Sequence, residues 1–300
     1  MRKFSFISVF AISIVASVVV FSCEKKPDPV DPPPTEEPKE KENIFVSKEP
    51  STKNVLLEEY TGDGCGYCPY GHKISDEMAE KYSGQYFAIN IHAGFTASAH
   101  KTPIGVALDT LFKIDKYGYP AGVINREKTT SSGFVYARDR GAWENYAKQI
   151  LAKDAYVNVA AESTIEQASR KLTVNVQAYF TNNSDVPTNY INVVIVQNNI
   201  LGYQNNMSVY SEMVVGSKYK HNHMFRDAIT GINGEAMDKN EKNYLYSKTF
   251  TYDIPETISK TNVVLEDLEI IVFVTEDTPA NAKTIIPRVV NVNKSSIVLK

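Results

Sequence analysis

The sequence predicts an α/β segment followed by an all-β segment, the latter folded as an antiparallel sandwich. Two changes of rhythm along the chain carry that reading. Between residues 53 and 154, strand-like and helix-like patterns alternate, which is the signature of βαβ units. From about residue 155 onward the apolar period becomes two, with turn chemistry between short runs, and that pattern points to a sandwich. The composition is compatible with both. Of 300 residues, 43% are hydrophobic and 22% charged, with 18 Tyr and 13 Phe available for cores. Global disorder, collagen-like repeats and a multi-span membrane protein are excluded. A net charge of −3 gives no basic footprint, so nucleic acid is not an expected partner.

The elements follow in order. Asn54 to Tyr60 (NVLLEEY) reads as a strand and Gly66 to Tyr82 as a helix, with Ile74, Met78 and Tyr82 on one face. Tyr86 to His92 alternates as a second strand. Pro103 to Lys116 has helical spacing, Ala121 to Asn125 is a short apolar strand, and Ala142 to Lys153 is a helix carrying Trp143, Tyr146, Ile150 and Leu151. In the second segment, strands are expected near 156–159, 172–180, 191–197, 244–252, 263–275 and 285–298. Turns such as Asn182-Asn183-Ser184-Asp185 separate them. Residues 200–242 break the rhythm. They read as a long Asn- and Gly-containing insertion with a role in contact or motion.

The amino terminus reads as a targeting device. Arg2 and Lys3 precede an uncharged apolar run from Phe4 to Phe21, which ends at Ser22-Cys23. A run of this length also suits a single membrane anchor. The abrupt stop at a small residue and Cys favours a cleaved signal, residues 1–22. Val20-Phe21-Ser22-Cys23 resembles the bacterial lipoprotein cleavage motif, although Phe21 departs from its usual small residue. That resemblance implies lipid on Cys23, and acyl chains there would hold the protein to a membrane. Residues 23–52 form a tether. Six prolines and eleven charged residues among Glu24–Asn43 cannot build a core, and proline-rich chain runs extended.

The chemistry concentrates in Leu56-Leu57-Glu58-Glu59-Tyr60-Thr61-Gly62-Asp63-Gly64-Cys65-Gly66-Tyr67-Cys68-Pro69. A strand enters a glycine-rich turn, then Cys-x-x-Cys, then a helix. Cys65 at a helix N-terminus would be favoured as thiolate by unpaired N–H groups and the macrodipole. Cys65 is therefore the expected nucleophile and Cys68, one turn further in, the resolving thiol. The segment resembles the thioredoxin fold family, and Cys65-Gly66-Tyr67-Cys68 is similar to the motif of periplasmic disulfide isomerases. The resemblance implies a cis-proline opposite the motif. Gly118-Tyr119-Pro120-Ala121 fits, with Tyr119 and Pro120 shaping a substrate groove. No cofactor is implied, because the dithiol itself carries the electrons.

Other readings stay open. The pair could be an inert disulfide. It could bind zinc with His72 and His92, although the expectation is no metal. Haem attachment is excluded, since Pro69 and not His follows Cys68. His92 ends a strand at the working edge of the sheet and is a candidate proton relay, as are Glu58 and Glu59. His221-Asn222-His223, if extended, would place two imidazoles on one side, but no further ligand is apparent.

The whole order of signal, tether, E-E-Y-T-G-x-x-C-x-x-C-P and a β-rich remainder containing Tyr219-Lys220-His221-Asn222-His223 resembles the Omp-twenty-eight related outer-membrane lipoproteins of Gram-negative bacteria. It implies a thioredoxin-like domain (53–154) joined to an immunoglobulin-like β-sandwich (155–300), located at the outer membrane. Two functions follow as expectations. One is a lipid-anchored thiol–disulfide oxidoreductase whose partners are exported proteins with cysteines. The other is a binding module, in which the β-domain holds a protein or ligand and the first domain is a redox-inert scaffold.

Overall fold

In the computed structural model, the described residues are 43–94, 99–129, 135–277 and 287–300. The signal, Cys23 and most of the tether lie outside them. One compact unit runs from Ile44 to Lys300. It is a mixed α/β body, mostly sheet with few helices.

Its main elements are β1 (Val55–Thr61), α1 (Cys68–Lys81), β2 (Tyr86–His92), α2 (Pro103–Leu111), β3 (Ala121–Ile124), β4 (Tyr136–Ala137), α3 (Trp143–Leu151), β5 (Val157–Glu166), β6 (Lys171–Phe180), β7 (Asn189–Gln197), β8 (Ile200–Gly202), β9 (Lys218–His221), β10 (Met224–Ala228), β11 (Leu245–Asp253), β12 (Leu268–Glu276), β13 (Val289–Lys294) and β14 (Ser296–Leu299). Helix α1 begins at Cys68, later than the spacing predicts. Pro69, which lacks an N–H, sits where a first helical turn leaves donors unused anyway. Cys65 thus occupies the turn before the helix and not its first turn, which weakens the macrodipole argument for that thiol.

The largest sheet runs β13-β12-β7-β10-β2-β1-β3-β4, with Glu235–Ala236 also pairing with β7. Segments 53–154 and 155–300, read from sequence as successive domains, contribute strands to this same sheet. They join at β10, which pairs antiparallel with β7 and parallel with β2 through Met224 and Asn90. The join lies inside the 200–242 stretch. That stretch is therefore a structural bridge, and it carries β8, β9 and β10. A bulge between Phe225 and Asp227 bends the sheet there.

The two halves share a core. Leu56, Tyr60, Ile89 and Ile91 of β1 and β2 share a core with Val194, Val196, Ile271 and Phe273 of β7 and β12. On the other face of β7 and β12, Ile191, Val193, Ile195, Ile270 and Val272 pack against a four-stranded sheet ordered β11-β6-β5-β14. Strand β7 is buried on both faces, which is why its sequence is nearly continuous in apolar β-branched residues. A third core holds α1 and α3 on β1 through Leu57, Met78, Ala147 and Trp143. Residues 44–49, from the expected tether, belong to the body. Gln177 accepts from the Phe45 and Val46 amides, and Asn158 donates to the Ser47 and Glu49 carbonyls. Among the described residues no helix is long and apolar enough to cross a membrane.

Candidate functional site

The site forms at the carboxyl ends of β1 and β2, whose parallel register sets Thr61 beside His92. From Thr61 the chain turns through Gly62-Asp63-Gly64 to the cysteines, and the Cys65 amide donates back to the Gly62 carbonyl. Cys65 and Cys68 are joined as a disulfide. Cys65 is partly exposed and Cys68 fully buried, the asymmetry expected of an attacking and a resolving sulfur. The Tyr119–Pro120 peptide is cis. Because Ala121 pairs with Tyr60, this peptide lies at the same end of the sheet as Thr61 and the cysteine turn. Tyr119 donates its hydroxyl to Asp109.

A segment from the bridge straps this turn. Gln204 donates to the Cys65 carbonyl at 3.0 Å, Asn205 to the Gly64 carbonyl at 3.1 Å, and Asn206 to the Gly66 carbonyl at 2.9 Å. The Asn205 amide reaches the Asp63 carbonyl, and Tyr210 bonds Asp76 on α1. Sequence reasoning assigned 200–242 to an insertion and gave no hint of this contact.

The two glutamates of β1 point to opposite faces, as alternation requires. Glu58 receives a bidentate pair from Arg126, 2.8 Å at each oxygen, with the guanidinium stacked between Phe112 and Phe273. Glu59 lies under α1 against Gly71 and Trp143 and forms no hydrogen bond through either oxygen. Burial, then the nearby Asp76 carboxylate, hold its pKa well above the ordinary value.

Beside the turn, four of the chain's five histidines converge. The rings of His92, His100 and His221 stand 5.1–5.3 Å apart, centroid to centroid. His72 joins through His221 at 6.5 Å. Its nitrogens are both engaged, Nε2 with the Thr61 hydroxyl and Nδ1 with the Tyr219 hydroxyl. His100 donates from Nδ1 to Asp63, and His92 Nε2 lies 3.5 Å from the same carboxylate. In contrast, no ring nitrogen of His92 or His221 makes a well-formed hydrogen bond. The Asn90 backbone contacts His92 and the Tyr203 backbone contacts His221, and each contact opposes the lowering of that ring's pKa. Burial, then the neighbouring imidazoles, push His92 well below its ordinary value, His221 down to about 4 and His72 to about 3. These rings are neutral at pH 7. One donor atom from each of Asp63, His92, His100 and His221 falls within 4.8 Å of the others, and all four residues are buried.

His92 is thus in the site, but inside an imidazole cluster. His100 and Asp63 were not singled out by sequence, although Asp63 stands within the motif itself. His223 is not in the cluster. Strand β9 ends at His221, and the left-handed backbone at His223 (φ 51°) turns its ring to Glu269. The extended geometry that would have aligned His221 and His223 does not form.

The family model described as "Outer membrane protein Omp28" matches residues 107–298, well over half the chain. The chain belongs to the Omp28 family. Its location is accordingly the outer membrane, as the family resemblance led one to expect. A search of curated proteins returned no match. Among solved structures, HBP35 of Porphyromonas gingivalis is similar at a TM-score of 0.62 and 19% identity, over 82% of this chain and 76% of that one. That similarity concerns the fold. A domain of the outer membrane lipoprotein Omp28 from Porphyromonas gingivalis aligns at a TM-score of 0.31 and 18% identity, over 49% of this chain and 91% of that one. A protein of Agrobacterium tumefaciens aligns at 0.46 and 13% identity, over 81% and 94%. Within this Omp28 family chain the matched span contains the strap and His221. It begins after Asp63, Cys65, Cys68, His92 and His100, so the cysteine pair is argued from its own geometry.

Proposed function

We propose that this outer-membrane protein is a lipid-anchored thiol–disulfide oxidoreductase acting on cysteine pairs of other exported proteins. On this reading residues 53–154 are a thioredoxin-like unit, the later strands form an immunoglobulin-like sandwich, and lipid on Cys23 anchors the chain. The observation that carries the reading is the Cys65–Cys68 pair, one sulfur partly exposed and one buried, at the sheet end that also bears the cis Tyr119–Pro120 peptide.

The chemistry balances without a cofactor. In the reduced protein the Cys65 thiolate attacks a substrate disulfide, and one substrate sulfur leaves as thiolate. Cys68 then attacks the Cys65 sulfur of the mixed disulfide. The second substrate thiol is released and the Cys65–Cys68 bond re-forms, so two electrons pass to the substrate. An envelope dithiol returns the pair to its reduced state. Run backwards, the same steps oxidise a substrate. Glu59, buried beneath α1 with its pKa raised, is the candidate proton store behind the pair, and Tyr119 with Pro120 offers the backbone edge for a substrate strand.

The test is the reduction potential of the pair in the full chain, together with reduction of a model protein disulfide. The expected potential falls between about −270 and −120 mV, the span of working thioredoxin-like proteins. Cys65→Ser should abolish turnover, and Cys68→Ser should trap mixed disulfides. A potential well below about −300 mV would identify a structural bridge. It would turn attention to the all-β segment as a binding surface.

A further inference from the structure

The geometry points to a divalent transition-metal site, of zinc type, held by His92, His100, His221 and Asp63 behind the cysteine turn. Nothing in the dithiol reading requires it, and it stands or falls separately.

The argument begins with unsatisfied polarity. A buried polar group without a partner is costly, so such groups are rare and call for a reason. Here two buried imidazoles, His92 and His221, lack a well-formed hydrogen bond at all four ring nitrogens, and they face each other at 5.1 Å. His72, a few ångströms away, shows what an ordinary buried histidine does, with a hydroxyl on each nitrogen. The difference leaves His92 and His221 with ring nitrogens not committed to a full protein hydrogen bond, and so available to a ligand.

The donor set is chemically coherent. His100 Nδ1 stands 3.0 Å from Asp63 Oδ1 and His92 Nε2 3.5 Å from the same oxygen, so donor atoms of three of the four residues already converge. Three imidazoles and one carboxylate make an N3O set of the kind that zinc accepts in tetrahedral geometry. At zinc bond lengths such donors stand roughly 3.4 Å apart. The present atoms lie within 4.8 Å, so closure around an ion needs shifts of roughly an ångström. Gly202 makes the crowding feasible. A Cβ there would meet His100 Cε1 at 3.0 Å and His221 Nε2 at 3.2 Å. Ion access is also present, because Asp63 and His100 line a cleft of about 500 Å³ bounded by Gln197, Leu201, Tyr203 and Asn262.

The four donors come from four chain segments: the cysteine turn, the end of β2, the approach to α2 and the end of β9. An ion would clamp the bridge against the redox turn. The cysteines are not in the donor set, being joined to each other.

The experiment uses the full-length protein, stripped with a chelator and titrated with Zn2+ or Co2+ alone. The expected result is one equivalent bound, and a cobalt spectrum with the intense visible bands of a four-coordinate N/O site. Both should persist in the Cys65→Ser/Cys68→Ser protein. His92→Ala and His221→Ala should each weaken binding by more than the roughly 10–100-fold that changes to outer-shell partners produce. His223→Ala, two residues from His221, should leave it unchanged. His92→Gln and His221→Gln serve where an alanine variant does not fold. The proposal is overturned if the stripped wild-type binds no equivalent. It is equally overturned if binding survives loss of both His92 and His221, or vanishes with the cysteines.

Discussion

The two faces of β1 solve the burial of charge in opposite ways. On one face Glu58 is matched by Arg126 with two short hydrogen bonds, and two aromatic rings cover the guanidinium. On the other, Glu59 forms no hydrogen bond through either oxygen, with His72 3.8 Å away, and at the strand's carboxyl end the His92 and His221 rings likewise form no full hydrogen bond. On the first face the two charges answer each other, and only the buried Tyr60 hydroxyl on that side of β1 is left without a hydrogen bond. That face cements the two halves of the bent sheet. The second keeps unanswered acids, bases and sulfurs together at one end. Proteins tolerate such unmatched groups where chemistry or a ligand needs them, so the difference separates the structural side of β1 from its functional side.

The comparison can be broken most forcefully at Arg126. Arg126→Met removes one half of a buried ion pair and leaves a carboxylate in the core. Denaturant unfolding should show a loss of about 3–5 kcal/mol. The double variant Glu58→Met/Arg126→Met should regain most of it, since a well-packed apolar replacement removes the desolvation burden as well. If the single variant were as stable as wild type, the closed face would not be the cement.

A second change tests how tightly the Glu59 face is packed. Gly122 sits opposite Glu59 in the β1–β3 register, and a Cβ there would meet Trp143 Cε2 at 2.6 Å and Leu57 Cδ1 at 2.9 Å. Gly122→Ala should lower stability by about 1–3 kcal/mol through overpacking, read in the same unfolding assay. A neutral result would mean that α3 can move away from the sheet.

Much of this fold is legible in sequence because it rests on local periodicity. Tyr86–His92 is a strand at both levels, and 172–180 and 191–197 fall within β6 and β7. The cysteine turn is legible for the same reason, as its residues are contiguous. What cannot be read is the result of the bend at β10. A single parallel pairing, Met224 with Asn90, joins the two segments into one sheet, and no pattern of spacing announces it. The histidine cluster is a consequence of that pairing. Its members sit at 63, 92, 100 and 221, and only the fold brings them within 4.8 Å. The one local histidine pair, at 221 and 223, misleads because a left-handed residue parts it.

Glu59 gives the comparison a pH axis. Its folded pKa is raised well above 4.5 by burial and then by Asp76, with Arg140 opposing. His72 lies 3.8 Å away, and the Tyr86 and Tyr219 hydroxyls also sense its charge. Above the unfolded pKa the native state holds one more proton here than the unfolded chain, so stability falls as pH rises and levels off past the folded pKa. The slope from this one group reaches about 1.4 kcal/mol per pH unit. Glu59→Gln should flatten the curve of unfolding free energy against pH above 4.5. An unchanged slope would mean that Glu59 ionises freely and that the second face is less unmatched than its geometry indicates.

The smallest expected effect is at the strap, and it decides whether the functional end is guarded. Asn206 donates a single, exposed hydrogen bond to the Gly66 carbonyl, so Asn206→Gly, which tolerates the left-handed backbone there (φ 57°), should lower stability by no more than about 0.5–1.5 kcal/mol. Its consequence for access should be larger than its consequence for folding. Gly66 lies between the two sulfurs, and releasing its carbonyl frees the turn beside partly exposed Cys65. The variant's disulfide should react faster with a small thiol such as glutathione, while Tyr67, already 67% exposed, reports no new exposure. An unchanged rate at equal stability would mean that the strap holds the turn's shape without covering its sulfur. Access to Cys65 would then be set by Tyr67 and the cis-proline edge, and the bridge would belong to the structural side of the comparison.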